Sequence, residues 1–139
     1  MNKKAFVVFI IMAAAIAGLV SCRSNQKSVD THNSKISLDW AGVYTGTIPS
    51  ASGSGINVRL KLSNDNTYEL TYEYVGKPDN TFTLTGSFKW NDTGDIVNLG
   101  IADTPSYYKT AENKLIQLDM KGNLITGDLA DDYVLTKER

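Results

Sequence analysis

Two residue types on which much protein chemistry depends are almost missing from this sequence. The 139-residue chain has one cysteine, Cys22, and one histidine, His32. A disulfide within the chain needs two thiols and a Cys/His zinc site needs several ligands, so both are excluded. With each residue occurring once, near the N-terminus, a Cys-His dyad and a Ser-His-Asp triad are excluded as well. Charge of one sign is also lacking: 14 Lys and Arg face 15 Asp and Glu. Such a balance offers little to a phosphate backbone, and nucleic acid is not an expected partner. No window carries the 3.6-residue period of a helix, and no long apolar run occurs after residue 20. What remains is enough chain for one domain with a core.

The first 21 residues stand apart. Lys3 and Lys4 give a short basic start, and residues 5–20 are apolar except for Gly18. That order is the charged and apolar part of a secretory signal peptide, too short to make a spanning helix the first choice. Leu19-Val20-Ser21-Cys22 then resembles the bacterial lipobox, in which the cysteine is acylated and becomes the new N-terminus. A thiolate is the nucleophile that accepts the lipid. The resemblance implies several acyl chains on Cys22, and more than one chain makes anchoring stable rather than transient. Arg23 stands where an aspartate would imply retention at the inner membrane. The expectation is therefore an outer-membrane lipid anchor, with the leaflet open.

Residues 22–37 read as the lipidated cysteine and a polar linker, with Val29 and Ile36 the only apolar residues after Cys22. His32 lies in this stretch and has no second His or Cys near it in sequence, so it is read as solvated rather than metal-binding. Without Lys3 and Lys4 the chain beyond the leader carries 12 basic residues against all 15 acidic ones, a net charge of −3.

From residue 38 to 139 the dominant period is two. Ile56, Val58, Leu60 and Leu62 alternate with polar residues, as do Tyr68, Leu70, Tyr72 and Tyr74, and then Phe82, Leu84, Gly86, Phe88 and Trp90. One wet and one apolar face per run is the pattern of antiparallel strands. Asn64-Asp65-Asn66 fits a three-residue hairpin with Asn66 left-handed, setting Leu62 opposite Tyr68 and Lys61 opposite Glu69. Residues 76–80 would let Tyr74 meet Phe82, and the turn at 91–94 would bring Phe88 to Val97 and Gly86 to Leu99. Ile116, Leu118 and Met120 read as a later strand, turned by Lys121-Gly122-Asn123 into residues 124–129, with Tyr133-Val134-Leu135 closing the chain. Residues 103–113, with Pro105, are the least legible part.

Roughly six to eight such strands cannot cover their own apolar faces as one flat sheet. The expectation is a small antiparallel meander barrel, lipocalin-like, with two packed sheets as the alternative.

Particular residues carry a family likeness. Residues 40–49 (Trp-Ala-Gly-Val-Tyr-Thr-Gly-Thr-Ile-Pro), Gly55-Ile56, Asp65-Asn66-Thr67-Tyr68 and residues 86–91 (Gly-Ser-Phe-Lys-Trp-Asn) resemble the N-terminal domain of NlpE-type "copper resistance" lipoproteins. The resemblance runs on through residues 118–122 to 133–137. It implies a lipocalin-like barrel tethered to the outer membrane and linked to envelope stress and surface sensing. The family's Cys-x-x-Cys after the proline is replaced at Ser50 and Gly53. Copper(I) and zinc favour soft sulfur ligands, and beyond Cys22 only Met120 supplies sulfur, so no metal and no other cofactor are expected. Longer members carry a second domain past the point where this sequence stops, and its output is not expected here.

Two functional readings follow. One is a non-enzymatic lipoprotein whose barrel contacts another envelope protein. The alternative is a binder of a small apolar ligand or lipid held among Tyr68, Tyr72, Tyr74, Phe82, Phe88 and Trp90, residues that would equally serve as plain core. Asp92 with Asp95 and Asp131 with Asp132 are the nearest approach to paired catalytic carboxylates, but they sit in turns where Asp is ordinary, and no enzyme is expected. Ser52-Gly53-Ser54-Gly55 lacks the lysine and the helix of a phosphate loop.

Overall fold

The structure, a computed structural model, describes residues 34–77 and 79–139. The leader, Cys22 and His32 lie outside the described residues. A helical turn, α1 (Ser34–Ser37), precedes strands β1 (Gly42–Ile48), β2 (Ile56–Leu62), β3 (Thr67–Tyr74), β4 (Thr81–Ser87) and β5 (Lys89–Trp90). Then come β6 (Ile96–Asn98), β7 (Tyr107–Ala111), β8 (Lys114–Gln117), a short 3-10 helix (Ala130–Tyr133) and β9 (Val134–Lys137). All nine strands form one antiparallel sheet, in the order β4-β3-β2-β1-β9-β8-β7-β6-β5, more strands than the pattern implied. The two outermost strands, β4 and β5, are consecutive in sequence and separated only by Phe88. One bent run thus pairs with β3 by its first half and with β6 by its second, which makes the sheet a nearly closed barrel.

The β2–β3 hairpin follows the sequence pattern. Leu62 stands opposite Tyr68 and Lys61 opposite Glu69. Asn66 has φ 62°, and the Asn66 amide donates to the Ser63 carbonyl at 3.0 Å. Asp65 accepts from the Thr67 amide and hydroxyl, which locks the turn. The ion pair on the outer face is diagonal, Arg59 to Glu69 at 3.3 Å, and is too exposed to stabilise the fold by much. Leu60, Leu62 and Leu70 are fully buried, each stabilising by roughly 1.5–3 kcal/mol.

Elsewhere the register differs from expectation by two residues, which preserves the face. Phe82 lies opposite Tyr72, not Tyr74, although the Tyr74 and Phe82 rings still meet edge-on at 6.1 Å. Val97 lies opposite Trp90 rather than Phe88, and Gly86 lies opposite Tyr68 rather than Leu99. The β3–β4 turn closes with the Tyr74 amide donating to the Asn80 carbonyl at 3.2 Å, and the Phe88 amide still donates to the Asn66 carbonyl at 2.8 Å before the run passes to β6.

Two readings of the C-terminal half need correction. The inward residues of β8 are Leu115 and Gln117, and Leu118 just past it is buried as expected, while Ile116 is half-buried and Met120 is exposed. Residues 124–129 form no strand; Leu124 makes one isolated bridge to Leu118. The illegible stretch supplies β7, with Tyr108 and Thr110 turned inward. The folded unit also begins within the stretch read as linker: the Lys35 amide donates to the Gly94 carbonyl at 2.9 Å.

Candidate functional site

The two ends of the barrel differ. Strand direction places Gly42, Leu62, Tyr68 and Ser87 at one end, and Ile48, Ile56, Tyr74 and Thr81 at the other. At the first end Trp40 lies edge-on to Phe88 (5.7 Å) and to Trp90 (5.3 Å), which meet each other at 6.1 Å. The Trp40 indole N–H donates to the Lys35 carbonyl of α1 at 3.1 Å, and the Tyr44 hydroxyl donates to the Trp40 carbonyl at 2.7 Å. Burial, and secondarily the Asp39 carboxylate, push the Tyr44 phenol up to about 12, so it remains a donor. Aromatic packing of this kind plugs that end.

The opposite end holds a cavity of about 610 Å³, a size usual for small-molecule sites. Its walls are Ile48, Ile56, Tyr72, Tyr74, Phe82 and Leu84 from β1 to β4, faced by Asp103, Thr104 and Pro105 of the β6–β7 loop. Since β4 and that loop line it together, the cavity follows the seam where the sheet stays open. Phe82 and Leu84 remain 54% and 38% exposed there.

Polar atoms are set into the inner wall. Gln117 lines the cavity and is only 2% exposed, yet its Oε1 has no hydrogen-bond partner among the described residues. Directly across the β7–β8 ladder lies Tyr108, fully buried, whose hydroxyl also lacks a bond of good geometry. The Tyr72 hydroxyl is its polar neighbour. Burial first, and then Tyr72, push the Tyr108 phenol well above its ordinary value of 10.0. Tyr72 is also raised, by burial and by Tyr74, with Tyr108 acting in the opposite sense. Both phenols therefore stay neutral at ordinary pH.

The six aromatics expected as ligand-lining or core divide evenly between those roles. Tyr72, Tyr74 and Phe82 line the cavity. Tyr68 and Phe88 are buried core, and Trp90 packs against it at the plugged end. Sequence reasoning missed Gln117, Tyr108 and the loop at Asp103. The signal for Gln117 was present: it alternates with Leu115 on the inward side of β8.

Ser50 and Gly53, at the degenerate Cys-x-x-Cys positions, share an exposed turn closed by the Gly53 amide on the Ser50 carbonyl at 3.1 Å. Gly53 has φ 99°, a conformation that a cysteine would resist. Among the described residues no group of three or more His, Cys, Asp or Glu is placed to hold a metal ion. Asp95 serves its turn instead. Its carboxylate accepts from the Thr93 hydroxyl and from the Asn91 amide, and these two bonds, largest first, hold it below the usual carboxylate range. Asp131 and Asp132 lie in the 3-10 helix that leads into β9.

Comparison with known proteins bears on this architecture directly. The family model for the NlpE N-terminal domain matches residues 44–128, most of the folded part. The chain belongs to the NlpE N-terminal domain family. Lipoprotein NlpE of Escherichia coli K12 is 27% identical over 129 residues, which span 90% of this chain and 54% of that protein. The chain thus covers about half the length of that relative. A Shewanella oneidensis crystal structure described as a lipoprotein is 42% identical, with a TM-score of 0.71 over 77% of this chain and 96% of that one. The crystal structure of the E. coli Cpx pathway activator NlpE is 26% identical, with a TM-score of 0.52 over 63% of this chain and 46% of that one. The NlpE-type barrel is therefore shared, and the open seam lies within it.

Proposed function

We propose that this chain is a non-enzymatic envelope lipoprotein of the NlpE type, anchored in the outer membrane through acylated Cys22, whose barrel is an interaction or stress-sensing module. On this reading residues 1–21 are removed, residues 22–37 carry the lipid and span the approach to the barrel, and residues 38–139 hold the recognition surface. The supporting observation is an NlpE-family barrel that follows the lipobox-like Leu19-Val20-Ser21-Cys22 after a short polar stretch. E. coli NlpE is a Cpx pathway activator, and a role in envelope signalling is extended here by that kinship. The partner would be another envelope protein. Labelled palmitate should enter the wild-type protein and not Cys22→Ala, with the wild type in the outer-membrane fraction. Equal labelling of both, or recovery of the wild type in the inner membrane, contradicts the anchor.

A second reading is favoured by one specific observation, the cavity at the seam with exposed Phe82 and Leu84. In that reading the barrel binds a small apolar ligand or lipid, and occupancy is what is sensed. A polarity-sensitive naphthylamine dye should brighten with the wild type and fail to do so with Phe82→Glu.

A further inference from the structure

We propose that the seam cavity takes a neutral or cationic amphiphile, its apolar body between β4 and the β6–β7 loop and a hydrogen-bond donor of its headgroup on Gln117 Oε1. This rests on the ligand-binding reading above and names the chemical class.

Three independent features lead there. The first is the edge. Strand β4 reads Thr-Phe-Thr-Leu-Thr-Gly-Ser, without charge or proline, and its ladder runs to β3 alone among the described residues. Natural edges are usually guarded by charge, proline or a bulge, so an uncharged edge with Phe82 half-exposed is fitted to an occupant that covers it. The second is the buried acceptor. An amide oxygen that finds no partner inside a protein is costly, and this one belongs to a residue of the cavity wall. A carbonyl oxygen accepts, so what relieves it must donate: a hydroxyl, an amide N–H or an ammonium.

The third is charge. The described lining includes no Lys, Arg or His, and its one ionisable acid is Asp103 at the loop. A carboxylate or phosphate headgroup would find no cation and would face the like charge of Asp103 at the rim of the cavity. Fatty-acid anions are therefore disfavoured, whereas monoacylglycerols, fatty alcohols, fatty amides and alkylamines fit.

The test is dye displacement from the mature chain (residues 22–139, carrying Cys22→Ala so that no acyl chain of its own competes). Four competitors share one alkyl length: monolaurin, dodecylamine, laurate and methyl laurate. Monolaurin and dodecylamine should displace the dye at about tenfold lower concentration than laurate or methyl laurate, the size expected when a buried acceptor gains or lacks its donor. Gln117→Leu should abolish the gap between monolaurin and methyl laurate. Asp103→Asn, in a loop position with φ 57° that asparagine accepts, should strengthen laurate relative to monolaurin. Laurate binding as well as monolaurin, with both variants without effect, overturns the assigned class and leaves the ligand-binding reading standing. Absence of dye binding altogether overturns both.

Discussion

Tyr108 and Gln117 stand directly opposite one another on β7 and β8, both buried and each carrying a polar atom without a hydrogen-bond partner among the described residues. A buried amide oxygen without a partner destabilises the fold, and folding alone gives no reason to keep Gln117 in the cavity wall.

Apolar replacement of Gln117 should therefore stabilise the unliganded protein. Gln117→Leu removes a buried unsatisfied group and should raise the unfolding free energy by about 1–3 kcal/mol. Urea denaturation without ligand reads this as a higher midpoint at unchanged slope. A lower midpoint would mean that this polar group holds the barrel together.

The hairpin at Asn66 is a separate test of the fold. Its φ of 62° is left-handed, so Asn66→Gly should be neutral or mildly stabilising. Asn66→Val should cost on the order of 1–2 kcal/mol in thermal or urea unfolding. Equal stability of the two variants would contradict the turn.

Closure of the barrel depends on close approach at Gly46. A Cβ there would lie 2.8 Å from the Val134 carbonyl oxygen and 2.9 Å from the Leu135 side chain. Backbone cannot yield as a side-chain tip can. Gly46→Ala should cost about 1–3 kcal/mol by overpacking, read as a lower midpoint in urea unfolding. An unchanged midpoint would place β9 farther from β1.

Acid should unfold the protein through its turn carboxylates. The Thr93 and Asn91 hydrogen bonds hold Asp95 below its ordinary 3.8, and hydrogen bonds within their own turns lower Asp65 and Asp119 as well. A depressed folded pKa contributes stability that is full above the unfolded value and lost as pH falls through the folded one. Unfolding midpoints should stay level down to pH about 4 and drop below it. Asp95→Ala should be less stable near neutrality and show a shallower acid decline. A parallel decline would remove Asp95 from the cause.

The strand pairing of β2 and β3 was legible because Asn-Asp-Asn fixes a loop of odd length and only one register buries Leu60, Leu62 and Leu70 together. Barrel closure was less so. Phe82 through Trp90 alternates without a break, and the division at Phe88 arises only when β3 and β6 compete for one run. Of the alternating Ile116, Leu118 and Met120 only Leu118 is buried, and the inward position of β8 next to it belongs to polar Gln117. A binding cavity departs from the apolar-inward rule at just such residues, so the site was hidden by the same signal that revealed the fold.

The central claim, that the seam is a binding site, is tested most directly by native mass spectrometry of the protein taken gently from its own envelope. The account predicts a discrete bound species of neutral or cationic headgroup on the wild type, absent from Phe82→Glu. Spectra of wild type and variant that show only the bare polypeptide, with the dye also excluded, would contradict it.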